Sequence, residues 1–382
     1  MKILFLDQSG QLGGAELALQ DLVAPYGQDA LVGLFQAGPF YEQLQRRQIP
    51  AQVLLHNTLE MRKNGGLWQG LKNFDRLLPL ICSVAQLSRA YDLIYANTPK
   101  SLIVGAIAAQ ISRRPFVYHL HDIISPAHFS KINRQLIIQI VNQCANLVIA
   151  NSQASKQAFI QAGGKAQLVE VIYNGFEPEN YQIPNEIVQQ TRQTLGLSTP
   201  FIVGHFSRLS PWKGQHILLE ALARCAPEIG AILVGDALFG ETEYAAHLHR
   251  RVVELGLESR VKFLGFRSDI PALMSACDLV AHTSTAPEPF GRVIVEAMLC
   301  QTPVVATAAG GAIELIQHNL TGWLTEPGDA TELADIVGSA YHAPDLITTI
   351  TQQAYQNAMQ QFLLTRIWQQ TDQALTRLVA VA

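Results

Sequence analysis

The chain has 382 residues, of which 48% are hydrophobic and 15% charged, and its formal net charge is −4. That length exceeds one ordinary core and predicts two domains, and the apolar content excludes a disordered chain. The acidic total argues against a general nucleic-acid binder, although residues 1–185 carry 15 Lys+Arg against 12 Asp+Glu while residues 186–382 carry 12 against 19. Five scattered cysteines, at Cys82, Cys144, Cys225, Cys277 and Cys300, include no C-x-x-C pair and predict reduced thiols in a cytoplasmic protein.

Met1-Lys2 lead directly into Ile3–Leu6, which is too short for a signal core and reads as a buried first strand. No run approaches the ~18 apolar residues of a membrane-spanning helix. Further strands are expected at Ala30–Phe35, Leu93–Ala96, Phe116–His119, Leu147–Ala150 and Val169–Ile172, with helical spacing at Glu16–Val23 and Ser101–Ile111. Phe176–Pro200 holds Pro178, Pro184 and Pro200 and reads as a linker with a short helix. The pattern then restarts, with strands at Ile202–His205, Ala231–Val234, Val261–Leu264, Leu279–His282 and Val304–Ala306. Helices are expected there at Gln215–Ala223, Ala245–Leu255 and Arg292–Leu299, and a last one over Ala354–Leu378. Strands without polar alternation are buried on both faces, and their alternation with helices implies parallel sheets. The expected architecture is α/β, with two Rossmann-like doubly wound domains over 1–185 and 186–360 and a terminal helix over 361–382 that crosses back to the first domain.

Five stretches carry chemistry. Gly10-Gln11-Leu12-Gly13-Gly14-Ala15-Glu16 follows the first strand and opens a helix, whose free N–H groups suit an anion. Its spacing is not G-x-G-x-x-G, so a dinucleotide site is not indicated. Arg208 and Lys213 bracket a proline turn after the strand that opens the second domain, and two cations beside a helix start suit a diphosphate. Glu288 and Glu296 stand eight apart around Phe290-Gly291-Arg292; carboxylates accept from vicinal hydroxyls or work as an acid–base pair. Thr307–Glu314 repeats the order of strand then glycine turn. His119-Leu120-His121-Asp122 ends a strand, where one side chain would serve as a hydrogen-bond donor; no Cys or further His completes a metal site.

Together these stretches resemble the retaining glycosyltransferases of the family 4 type, with the two-domain GT-B fold facing a cleft. The matching residues include Gly13-Gly14-Ala15-Glu16, His121-Asp122, Arg208 with Lys213-Gly214, the E-x7-E of Glu288 and Glu296, Pro303-Val304-Val305, and Gly310-Gly311 with Glu314. The resemblance implies that the first domain binds the acceptor and the second a nucleotide-sugar donor, UDP- or GDP-linked. Arg208 and Lys213 would hold the diphosphate, Glu296 the ribose hydroxyls, and Glu288 the transferred sugar beside Phe290, Gly291 and Arg292. Gly13 and Gly14 would face the phosphates, His121 would hydrogen-bond the sugar near the reacting centre, and Phe266 would border the base. It also implies that no metal or other cofactor is required. Two residues depart from the pattern: Trp212 is bulky for its turn, and Gln301 stands where the family often has glycine.

The implied acceptor is a glycan or glycolipid hydroxyl in cell-surface polysaccharide or lipid assembly. Arg46-Arg47, Arg62-Lys63, Lys72 and Arg76, interleaved with Leu67, Trp68, Leu71, Phe74 and Leu77, suit peripheral attachment to the inner face of an anionic membrane or an ordinary surface helix. Competing readings are an epimerase or phosphorylase on the same architecture, or a non-catalytic nucleotide-sugar sensor.

Overall fold

The computed structural model describes residues 1–54, 74–237 and 240–381. The chain forms two compact units, one of Met1–Gly175 with Leu364–Ala382 and one of Phe176–Leu363. The first unit carries β1 (Ile3–Asp7), β2 (Ala30–Leu34), β3 (Ala51–Val53), β4 (Leu93–Ala96), β5 (Phe116–Leu120), β6 (Leu147–Ala150) and β7 (Val169–Val171). These pair in parallel in the order β3-β2-β1-β4-β5-β6-β7. The second unit carries β8 (Phe201–Phe206), β9 (Ile229–Val234), β10 (Val261–Gly265), β11 (Leu279–His282), β12 (Val304–Thr307) and β13 (Trp323–Thr325). They too are parallel, in the order β10-β9-β8-β11-β12-β13.

Both sheets are doubly wound, so each reverses direction once, between β1 and β4 in the first unit and between β8 and β11 in the second. The apolar runs are the reason: every residue of β1, β4, β6, β8, β9, β11 and β12 is buried, which a sheet covered on both faces requires. Strands β3 and β13 were not expected from the sequence. Each is three residues long, too short to show a period, and each closes an edge of its sheet.

Two boundaries differ from expectation. The second unit begins at Phe176 rather than 186, because Phe176 packs its ring on Phe290 and its N–H bonds the Phe362 carbonyl at 2.8 Å. The helix expected over Ala354–Leu378 is two helices, Pro344–Gln361 and Leu364–Val381, broken where Phe362 anchors edge-on against Phe290. The last helix buries Ile367, Ala374 and Leu375 in the first unit among Ile3, Phe5 and Tyr95. The predicted linker holds the helix Asn185–Thr194, tied to the second unit by Arg192, which donates to the Ala276 carbonyl and to Asp278 at 2.8 Å each. Of the basic amphipathic stretch, residues 62–73 lie outside the described residues; a helix runs from Phe74 to Ser88. No helix among the described residues is long and apolar enough to cross a membrane.

Candidate active site

In a doubly wound sheet, ligands bind beyond the carboxyl ends of the strands at the point of reversal. In the second unit this point lies between β8 and β11, and both diphosphate candidates follow β8. Gln215, fully buried, donates to the Arg208 carbonyl at 2.8 Å and to Ser207 Oγ at 2.9 Å, which fixes the backbone that carries Arg208. A single turn, Pro211–Lys213, presents Lys213. Trp212 lies close to both cations: Lys213 Nζ is 3.9 Å and Arg208 Cζ 5.9 Å from its ring centre. The bulky residue of that turn is thus a ring that both cations approach. Beneath the turn, His205 Nε2 donates to the Lys213 carbonyl at 3.2 Å, and burial lowers the pKa of His205 to about 3, so it is neutral.

Glu288 is the electrostatic centre of this unit. Its Oε2 accepts from Lys213 Nζ at 2.6 Å, from Ser284 Oγ at 3.1 Å and from His282 Nε2 at 3.2 Å. Burial alone would raise the pKa of the carboxyl, but the Lys213 charge and the His282 hydrogen bond outweigh it and hold the group well below the usual carboxylate range. The backbone of Glu288 is held just as closely. It bridges Gly310 across the sheet end, and its carbonyl accepts the Gly311 N–H at 2.7 Å. Gly310 has φ +64°, and a Cβ there would overlap the Glu288 backbone.

The next helix, Arg292–Leu299, starts from Gly291 at φ +100°. One turn on, Arg292 Nε and Glu296 Oε1 pair at 3.3 Å, and the Arg292 guanidinium sits 4.6 Å over the Phe176 ring. Phe290 is only 2% exposed, with its ring packed between Phe176 and Phe362, so its backbone rather than its side chain is what a ligand could use. Phe266, after Gly265 at the end of β10, is 69% exposed. Gln301 takes the left-handed conformation that glycine usually supplies after a helix, at φ +54°.

Gly13, Gly14 and His121 belong to the first unit, again around its point of reversal. Gly13 caps the helix Gly14–Val23 in an extended conformation. His121 follows β5, and its Nε2 lies 2.8 Å from Asn97 Oδ1, just after β4. Asn97 Nδ2 in turn donates to Asp7 Oδ2 at 2.7 Å, at the end of β1. Asp122 is half-buried, and burial raises its pKa to about 6 from 3.8. The fold therefore keeps a proton that the unfolded chain loses above pH 3.8, and stability from this group is full below that pH and declines as pH rises through 6. Asp122→Asn is expected to stabilise the protein by about 1–2 kcal/mol at pH 8 and by almost nothing at pH 4, compared by urea unfolding at both.

Sequence reasoning did not single out Asp7, Asn97, His282 or Ser284. All four stand at or just after a strand end beside a point of reversal, and that position was their signal; it becomes readable only with the strand order known. Among the described residues, no group of three or more His, Cys, Asp or Glu side chains is placed to hold a metal ion.

The family described as Glycosyl transferases group 1 matches residues 188–357, and Glycosyltransferase Family 4 matches residues 41–180. A crystal structure of Anabaena Alr3699/HepE in complex with UDP-glucose is 55% identical, covers 99% of this chain and 100% of that one, and superposes with a TM-score of 0.92. The N-acetyl-alpha-D-glucosaminyl L-malate synthase of Bacillus anthracis is 27% identical over 309 residues, 73% of this chain and 80% of that protein. The sucrose-phosphate synthase of Thermosynechococcus elongatus shares the fold, with a TM-score of 0.85 at 22% identity over the full length of both chains.

Proposed function

This chain belongs to the family 4, group 1 glycosyltransferases with the GT-B fold, and from that membership we propose that it moves glucose from UDP-glucose to a hydroxyl of a glycan or glycolipid acceptor with retention of configuration. The observation that carries this reading is the Lys213–Glu288 pair at the point of reversal of the second sheet. The choice of UDP-glucose as donor is supported by the 55% identical relative solved in complex with it.

Lys213 and Arg208, spread over the Trp212 ring, meet the β-phosphate and take up the charge that develops as UDP leaves. Three donors converge on Glu288 Oε2, and Oε1 is assigned to the sugar hydroxyls. Glu296 receives the ribose hydroxyls. The bond between the anomeric carbon and the β-phosphate oxygen breaks, the acceptor oxygen bonds the same face, and its proton passes to a phosphate oxygen of UDP. With the charge of the leaving group met by two cations, transfer is expected to proceed in EDTA. A double displacement would make Glu288 the nucleophile. The three donors on its Oε2 stabilise the carboxylate and make it a weaker nucleophile, which supports the sugar-binding role. A glycosyl adduct on Glu288, seen by mass spectrometry of the quenched reaction, would overturn that role.

The direct test is a thermal-shift comparison of UDP, GDP, ADP and UDP-glucose. UDP and UDP-glucose should stabilise the wild type by about 2.7 kcal/mol at a hundred times Kd, whereas Glu296→Ala should lose most of the shift. Equal shifts with GDP or ADP would overturn the assignment of the base. UDP binding without sugar transfer to any hydroxyl acceptor would favour a sensor.

A further inference from the structure

Residues 282–285, at and just after the end of β11, touch both charges of the second unit's site. Side chains of an extended chain point alternately to opposite sides, and the contacts of this segment keep that alternation. His282 Nε2 and Ser284 Oγ reach the Glu288 carboxylate at 3.2 and 3.1 Å. Thr283 and Thr285 reach the turn that carries Lys213 instead. The Thr283 hydroxyl oxygen, Oγ1, lies 2.8 Å from the Gly214 carbonyl and 3.2 Å from that of Lys213, and the Thr285 N–H donates to the Trp212 carbonyl at 2.8 Å. A hydroxyl has one hydrogen, and the shorter contact assigns it to Gly214. His205 Nε2 carries a hydrogen, because it faces the Lys213 carbonyl, which only accepts; the same N–H meets Thr283 Oγ1 at 3.0 Å and holds the buried hydroxyl in place.

The carbonyls of Trp212 and Gly214, which flank Lys213 in the chain, are thus tied to one segment. The distance of the turn from that segment is limited in both directions. A Cβ on Gly214, at φ +71°, would overlap the Thr283 carbonyl, so the two backbones are already at closest approach. The Thr283 hydroxyl and the Thr285 N–H keep the turn from moving away. At this distance Lys213 Nζ stands 2.6 Å from Glu288 Oε2. That contact uses one of the three ammonium hydrogens and leaves two for an anion.

We propose that Thr283 is a positioning residue that holds the Lys213 turn against the segment carrying Glu288, so that one ammonium serves the Glu288 carboxylate and the donor diphosphate together. The proposal rests on the reading that Lys213 meets the diphosphate. It assigns Thr283 no contact with substrate, and its effect on transfer passes through Lys213.

The test measures kcat with UDP-glucose and the Kd of UDP by calorimetry, in the wild-type and Lys213→Ala backgrounds. Thr283→Val is nearly isosteric and lacks the hydroxyl; it should lower kcat about thirtyfold and weaken UDP binding about tenfold. Thr283→Ser keeps the hydroxyl and should stay within about threefold of the wild type in both. In the Lys213→Ala background, Thr283→Val should cost less than about twofold more, because the group it positions is gone. A purely structural role would lower both backgrounds alike. If the valine variant does not fold, Thr283→Ala carries the same expectation. A folded protein lacking the hydroxyl with wild-type kcat and Kd overturns the proposal, as does an equal loss with and without Lys213. A wild type that binds UDP with this dependence on Thr283 but transfers no glucose supports the positioning and counts against the proposed function; one that binds no UDP overturns both.

Discussion

Replacing Lys213 by alanine is expected to lower kcat about a thousandfold, the scale at which one preorganised charge partner of a developing anion is lost. Two effects add. In the proposed mechanism, the leaving diphosphate loses one of the two cations beside the Trp212 ring. Glu288 also loses the ammonium at 2.6 Å that most strongly opposes its burial, so its pKa rises toward the ordinary carboxylate range. In the wild type this carboxyl has a depressed folded-state pKa, so its contribution to stability is present above the unfolded pKa and is lost as pH falls through the folded one. The variant should therefore be less stable at pH 7, by about 3 kcal/mol or less, because the pair is partly exposed and His282 and Ser284 still hold Glu288. UDP release under saturating donor measures the first effect, and urea unfolding at pH 7 the second. A folded Lys213→Ala protein within tenfold of the wild-type kcat would remove Lys213 from the diphosphate site.

The two-sheet architecture was readable because its strands are buried on both faces: β4 and β6 are apolar throughout, and β1 and β11 are apolar up to their last residues, Asp7 and His282. The edge strands β3 and β13 left no such trace, because their places are set by pairing, Val32 with Ala51 and Val305 with Trp323, rather than by pattern. The break at Phe362 was hidden for a similar reason. Helical spacing continues through it, and the break coincides with tertiary ties that the spacing does not show: the Phe362 ring packs against Phe290 and its carbonyl accepts the Phe176 N–H. At the site, Lys213 and Glu288 were legible as residue types at a spacing, but their contact was not, since 75 residues separate them. His282 and Asn97 were invisible as candidates. A polar residue at the end of an apolar strand acquires meaning only when the strand order puts it beside the reversal.

Gly310→Ala is expected to damage stability and catalysis together. The left-handed conformation at φ +64° disfavours alanine by about 1–2 kcal/mol. The added Cβ would also overlap the backbone of Glu288, which has little room to retreat because the Gly311 N–H holds its carbonyl at 2.7 Å. We expect a total loss of about 3 kcal/mol by urea unfolding. Moving the Glu288 backbone by even a fraction of an ångström disturbs the convergence of Lys213, His282 and Ser284 on its carboxylate. A misplacement on the order of 1 Å lowers rates about a hundredfold, so kcat should fall by about that factor in the protein that remains folded. Gly328→Ala separates the two causes. Its φ is +82°, but a Cβ there meets nothing within 4 Å. It should lose about 1–2 kcal/mol for the backbone alone and keep the wild-type kcat. If Gly310→Ala behaved like Gly328→Ala in both measurements, the Glu288 backbone would not be what positions the carboxylate, and the burden would fall on its three side-chain donors.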